Sequence, residues 1–67
     1  MKYYVNTEAK ESGTHVVHAE SCQFLPGEDK RKALGDAAKC ETALDRARDE
    51  YSNVDGCGTC CSDCSGN

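Results

Sequence analysis

The 67-residue chain has no tryptophan and no isoleucine, and only one proline, one methionine and one phenylalanine. Its branched aliphatics are Val5, Val16, Val17, Leu25, Leu34, Leu44 and Val54, and Tyr3, Tyr4, Phe24 and Tyr51 complete the aromatic set. A fully buried large side chain contributes roughly 1.5–3 kcal/mol, while each ordered residue costs roughly 1–2 kcal/mol of backbone entropy. This inventory is too thin for a core that sustains a fold alone, in a chain short enough to bury only a modest share of its surface. A staple is expected.

Long apolar runs are missing too. None approaches the roughly 20 residues of a membrane-spanning helix, and the opening "MKYYVNTEAKESG" turns polar at once, without the apolar stretch of a secretory signal. The expected compartment is the cytoplasm. Positive charge is scarce: 12 acidic residues against 8 basic ones leave a net charge of −4 with neutral histidines, which repels a phosphate backbone. The basic run "KRK", Lys30 to Lys32, directly follows Glu28 and Asp29 and reads as a solvated mixed-charge loop. No glycine-rich phosphate loop and no nucleophile elbow is present. The chain is therefore expected to be neither an enzyme nor a nucleic-acid binder.

What the chain has in quantity is cysteine. There are six, and "DGCGTCCSDC", Asp55 to Cys64, holds four of them in ten residues. In a reducing compartment such clusters more often hold metal than form disulfides. "CGTC" places Cys57 and Cys60 at x2 spacing around a glycine, as in a zinc knuckle, where turn amides point at both sulfurs and the sulfurs take two corners of a tetrahedron. "HAESC" places His18 and Cys22 at x3 spacing, leaving a strand and entering a turn. A histidine at a strand end also reads as a half-buried packing residue; its position four residues before Cys22 favours a ligand.

Three parts organise the chain around these motifs. "KYYVN" and "THVVH" are short, β-branched and aromatic, and flank polar "TEAKESG" with Gly13 available for a positive φ, which predicts a β-hairpin. Strand alternation separates His18 from His15, so only one histidine faces the thiols and His15 is left at the surface. "SCQFLPGEDKRKALG" predicts a turn at Pro26 and Gly27 followed by a surface loop. From Asp36 as N-cap, Cys40, Leu44, Ala47 and Tyr51 recur at helical spacing, with Ala37 and Ala43 flanking them, which predicts one amphipathic helix of about four turns ending near Ser52. The fold class is thus α+β: hairpin, helix and C-terminal zinc knuckle in one domain over residues 1–64, with residues 65–67 as a disordered tail.

The layout of strand, "H-x3-C", loop, helix opening near "KCETALDRA" and "DGCGTC" resembles the zinc domain at the N-terminus of the bacterial Ada-type DNA alkyl-repair methyltransferases. That family carries C-x3-C, a short helix and C-x2-C. The fuller pattern of "YYVN", "HVVH", "SC-x-FLP", "LG", "C-x2-AL" and "DGC-x2-C" is also similar to a group of small bacterial proteins of unknown function. Carried over by position, the resemblance implies a Zn²⁺ site made of His18, Cys22, Cys57 and Cys60. It departs from the Ada pattern at the first ligand, where the methyl-accepting thiolate is replaced by His18. Imidazole on zinc does not replace a thiolate nucleophile, so the scaffold is expected without the repair activity.

Cys40, Cys61 and Cys64 remain. Cys40 reads as a small buried hydrophobe on the helix stripe or as a disulfide partner of Cys61 or Cys64. "CSDC" overlaps "CGTC", so a slipped register would make Cys61 or Cys64 a ligand. Three readings stand: a structural zinc module that binds a protein partner, a thiol-redox or alkyl-acceptor protein using the C-terminal cysteines, and a metal-free disulfide-stapled domain.

Overall fold

The structure, a computed structural model, describes residues 1–61. Cys64 and the tail assigned to 65–67 lie outside the described residues. Strand β1 (Lys2–Asn6) and strand β2 (His15–Ala19) form the expected antiparallel hairpin, with Tyr3 opposite Ala19, Tyr4 opposite His18 and Val5 opposite Val17. Gly13 takes the positive φ that the connection requires, at 86°. Alternation places Tyr3, Val5, Val17 and Ala19 on one face, where they join the buried core. Tyr4, Val16 and His18 take the other.

The segment expected to be a surface loop is in part a strand. After the turn at Pro26 and Gly27 and a single 3₁₀ turn over Glu28–Lys30, strand β3 (Arg31–Asp36) pairs antiparallel with β1. Only Leu34 of β3 is buried, so the strand is held by its backbone ladder and by few side chains. The ladder shifts register between Tyr3 and Tyr4, and Gly35 sits nearby at φ 81°. Arg31 lies over the Tyr4 ring, 4.6 Å from its centroid.

The helix is shorter than its apolar periodicity suggested. Helix α1 spans Cys40–Arg48, with Lys39 as N-cap, so Asp36 closes β3 and does not start the helix. Ala37 still donates its N–H to Met1 O at 2.9 Å, which ties this stretch to the sheet. At the other end Tyr51 leaves the helix and stacks on His15, ring centroids 3.7 Å apart. His15 is therefore a half-buried packing residue and not the surface residue expected; its Nδ1 also lies 2.9 Å from Asn6 O.

A further element, strand β4 (Val54–Gly56), runs parallel to β2 and completes a four-stranded mixed sheet in the order β3-β1-β2-β4. Ala43, Leu44 and Ala47 of α1 pack on the core face of this sheet together with Leu34, Ala37 and Cys61. The small alanines let the helix approach closely. Arg46 fastens α1 to the end of β3 by donating to Leu34 O at 2.9 Å and Asp36 O at 2.6 Å. Val5 and Val17 are the largest side chains that are fully buried, in keeping with the thin core read from composition. No helix of the described residues is long and apolar enough to cross a membrane.

Candidate metal centre

Three segments converge at the C-terminal ends of the parallel strands β2 and β4. His18 is the penultimate residue of β2. The chain then turns, with Cys22 N–H donating to Ala19 O at 3.0 Å, and this tight reversal returns the Cys22 sulfur to the imidazole. Beyond β4, Cys57 N–H donates to Val17 O at 3.0 Å, extending the parallel ladder by one rung. Cys61 N–H then donates to Cys57 O at 2.8 Å and closes the knuckle.

The result brings together all four residues singled out by spacing. One donor atom each from His18, Cys22, Cys57 and Cys60 lies within 4.8 Å of the other three. Cys22 Sγ is 3.6 Å from His18 Nδ1 and 3.9 Å from Cys57 Sγ, and Cys60 Sγ is 4.0 Å from His18 Nδ1. A tetrahedral ion with bonds of about 2.3 Å to sulfur and about 2.0–2.1 Å to nitrogen sets its ligands about 3.6–3.8 Å apart. The donors thus have the identity for a tetrahedral ion, with three separations close to the tetrahedral values and the whole set within 4.8 Å. The four sulfurs of Cys22, Cys57, Cys60 and Cys61 are free of disulfides.

The electrostatics of the site differ from one sulfur to the next. Burial works to raise the Cys57 pKa, but hydrogen bonds from the Cys60 and Thr59 backbone outweigh it and hold the thiol below its ordinary value. Turn amides thus serve the Cys57 sulfur as expected of a knuckle, whereas the amide at Cys60 comes from Ala19 of β2 and not from the turn. Cys60 is pushed well up, first by burial and then by the neighbouring Cys22 and Cys57 sulfurs, although Ala19 N–H donates to its Sγ at 3.3 Å. Packed thiols cannot all ionise unless a cation shares the cluster. His18 is the one buried polar or charged side chain among the described residues, at 6 % exposure. Burial lowers its pKa, which favours the neutral, ligating imidazole.

With Nδ1 facing the sulfurs, the other ring nitrogen of His18 has no hydrogen-bond partner among the described residues. Among the described residues no buried side-chain nitrogen or oxygen is left unsatisfied, so Nε2 is not sealed from solvent. His18 also lines a groove on the uncovered sheet face.

The remaining cysteines separate clearly. Cys61 is 2 % exposed and packs in the core, and burial raises its pKa. It does not belong to the four-donor cluster. Cys40 packs against the core from the first position of α1 but is only partly buried, and it is disulfide-bonded, so the disulfide reading stands over the buried-hydrophobe one; Cys61 is free, which excludes it as the partner, and the Cys64 alternative lies outside the described residues. No feature of the sequence pointed to Ala19, whose backbone N–H supports Cys60, because a main-chain donor leaves no mark on residue identity. No family model, curated protein or solved structure matches the chain. What the fold and site define is a small α+β domain carrying a cysteine–histidine cluster able to hold a metal ion.

Proposed function

We propose that the chain is a structural zinc module that binds a protein partner and has no catalysis of its own. The observation that carries this reading is the meeting of His18 Nδ1 with the Cys22, Cys57 and Cys60 sulfurs within 4.8 Å, from segments far apart in sequence. Zinc suits three thiolates and one imidazole in a tetrahedral arrangement. Because the ligands join the hairpin to the segment after β4, metal binding free energy becomes folding free energy. It supplies the staple that the thin core calls for.

Other features agree with this assignment. Four protein ligands complete the tetrahedron, leaving no open position of the kind a catalytic zinc uses. Three thiolates and one divalent cation make the chain one unit more negative than its formal −4, so the metallated module still repels nucleic acid. We place the protein in the cytoplasm on the strength of the free-thiol cluster, against which the Cys40 disulfide, unusual in a reducing compartment, is the opposing observation. Burial of Cys61 argues against the thiol-redox alternative, since exchange needs an accessible thiolate.

Circular dichroism during chelation and metal return tests the structural role. The strand and helix signal should collapse when a strong chelator is added to the reduced protein and should return on adding one equivalent of Zn²⁺. A cooperative thermal transition that survives complete removal of metal would overturn the reading.

A further inference from the structure

We infer that the sheet face opposite α1, which the described residues leave uncovered beside the proposed metal centre, binds the C-terminal carboxylate of a partner polypeptide whose last side chain is apolar. The inference rests on the metal-module reading and adds the partner's chemistry to it. Helix α1 covers one face of the sheet, and on the other lies an open groove of about 510 Å³. Its walls include Lys10, Val16, His18, Phe24, Asp55 and Gly58. That volume is within the roughly 300–1,000 Å³ of ligand sites.

Each wall contributes a distinct requirement. Val16 and Phe24 offer apolar surface, and Phe24 is 58 % exposed, one of two exposed large hydrophobics among the described residues. Lys10 forms no ion pair among the described residues. A metal on Nδ1 fixes Nε2 of His18 as an N–H donor, and metal-bound histidines donate that proton to a carboxylate, a carbonyl or water. No residue of the described chain accepts it. Cation, donor and apolar wall together suit a single carboxylate attached to a hydrophobic group.

Asp55 is engaged locally. Its Oδ1 accepts the Gly56 N–H at 2.9 Å. Gly56 and Gly58 add no side chains to the groove, and a Cβ at Gly58 would meet nothing within 4 Å. A partner backbone can therefore come close to this wall. A chain terminus brings backbone, carboxylate and final side chain in together, which a free acid or an internal acidic residue does not.

The test is a titration of the ¹⁵N-labelled, zinc-loaded full chain with an N-acetylated peptide ending in a free-acid leucine, and with its C-terminal amide. The free acid should bind about tenfold more tightly, as expected for one charge-assisted contact worth about 1.4 kcal/mol. Its shifts should centre on Val16, His18, Gly56 and Gly58. Lys10→Gln should weaken the free acid about threefold, the scale of a partly exposed ion pair, and leave the amide unchanged. Equal binding of acid and amide, shifts confined to α1 or β3, or no effect of Lys10→Gln would overturn the inference. Acetate binding as well as the peptide would overturn the polypeptide as the source. Zinc is counted by native mass spectrometry in the same sample. A folded, zinc-bound chain that does not discriminate overturns the groove alone, whereas a folded chain without metal overturns the module and the groove with it.

Discussion

Replacing Cys60 and Cys61 by serine, one at a time, asks two adjacent residues to behave in opposite ways. Cys60 Sγ belongs to the four-donor cluster, 4.0 Å from His18 Nδ1, and accepts the Ala19 N–H at 3.3 Å. Cys61 is a core residue, 2 % exposed. Cys60→Ser exchanges a soft thiolate for a neutral hydroxyl at a proposed metal ligand. Loss of an outer partner of a ligand typically costs 10–100-fold in metal affinity, so loss of the ligand itself should exceed about 100-fold. Cys61→Ser leaves all four donors in place but puts a hydroxyl among apolar atoms, at about 1–3 kcal/mol by mutational scales. For a domain of this size that is a fall in Tm of about 4–24 °C. Competition with a chromophoric chelator reads affinity, and circular dichroism reads the melt. One zinc held at unchanged affinity in Cys61→Ser, with a lower Tm, is the expected result. Metal lost from Cys61→Ser and kept by Cys60→Ser would show that the ligand register is one residue out, and would refute the reasoning.

Ala43 and Ala47 are fully buried where α1 meets the sheet, so Ala47→Leu should overpack the contact and cost about 1–3 kcal/mol in urea unfolding. Gly35→Ala should cost about 1–2 kcal/mol because Gly35 sits at φ 81°, while Gly58→Ala, with open space around its Cβ, should change the unfolding free energy by no more than about 0.5 kcal/mol. Acid should destabilise the fold through His18. Burial lowers its folded-state pKa, so the unfolded chain binds more protons below the ordinary value of about 6.5. The contribution is fully present above that value and is lost as pH falls through it. Melting temperatures at pH 7.5, 6.5 and 5.5 should therefore decline in that order, and a flat profile would contradict the burial of a neutral imidazole.

The hairpin and the cluster were legible because their signals are local. Val5, Val16 and Val17 mark strands by type and spacing, and the x3 and x2 separations of His18–Cys22 and Cys57–Cys60 follow from the turns that close each pair. Strand β3 was not legible, since "RKALGD" buries Leu34 alone and is joined to β1 through main-chain groups that every residue carries. Strand β4 is three residues long and parallel to β2, and a pairing so short has no periodicity to read. The helix was drawn too long at both ends for a related reason. Asp36 has the chemistry of an N-cap, and Tyr51 falls on the apolar stripe, but tertiary contacts claim both ends: Ala37 with Met1 on the sheet, and Tyr51 with His15. Periodicity identified which helix residues are apolar without locating where the backbone leaves the helix.

The most direct measurement of the central claim is native mass spectrometry of the reduced full chain, before and after treatment with a chelator, combined with thiol alkylation. The expected result is one zinc per chain, with Cys22, Cys57 and Cys60 protected from alkylation until chelation removes the metal and the folded charge-state distribution together. A folded chain that carries no metal, with those three cysteines alkylated at once or joined in disulfides, would contradict it.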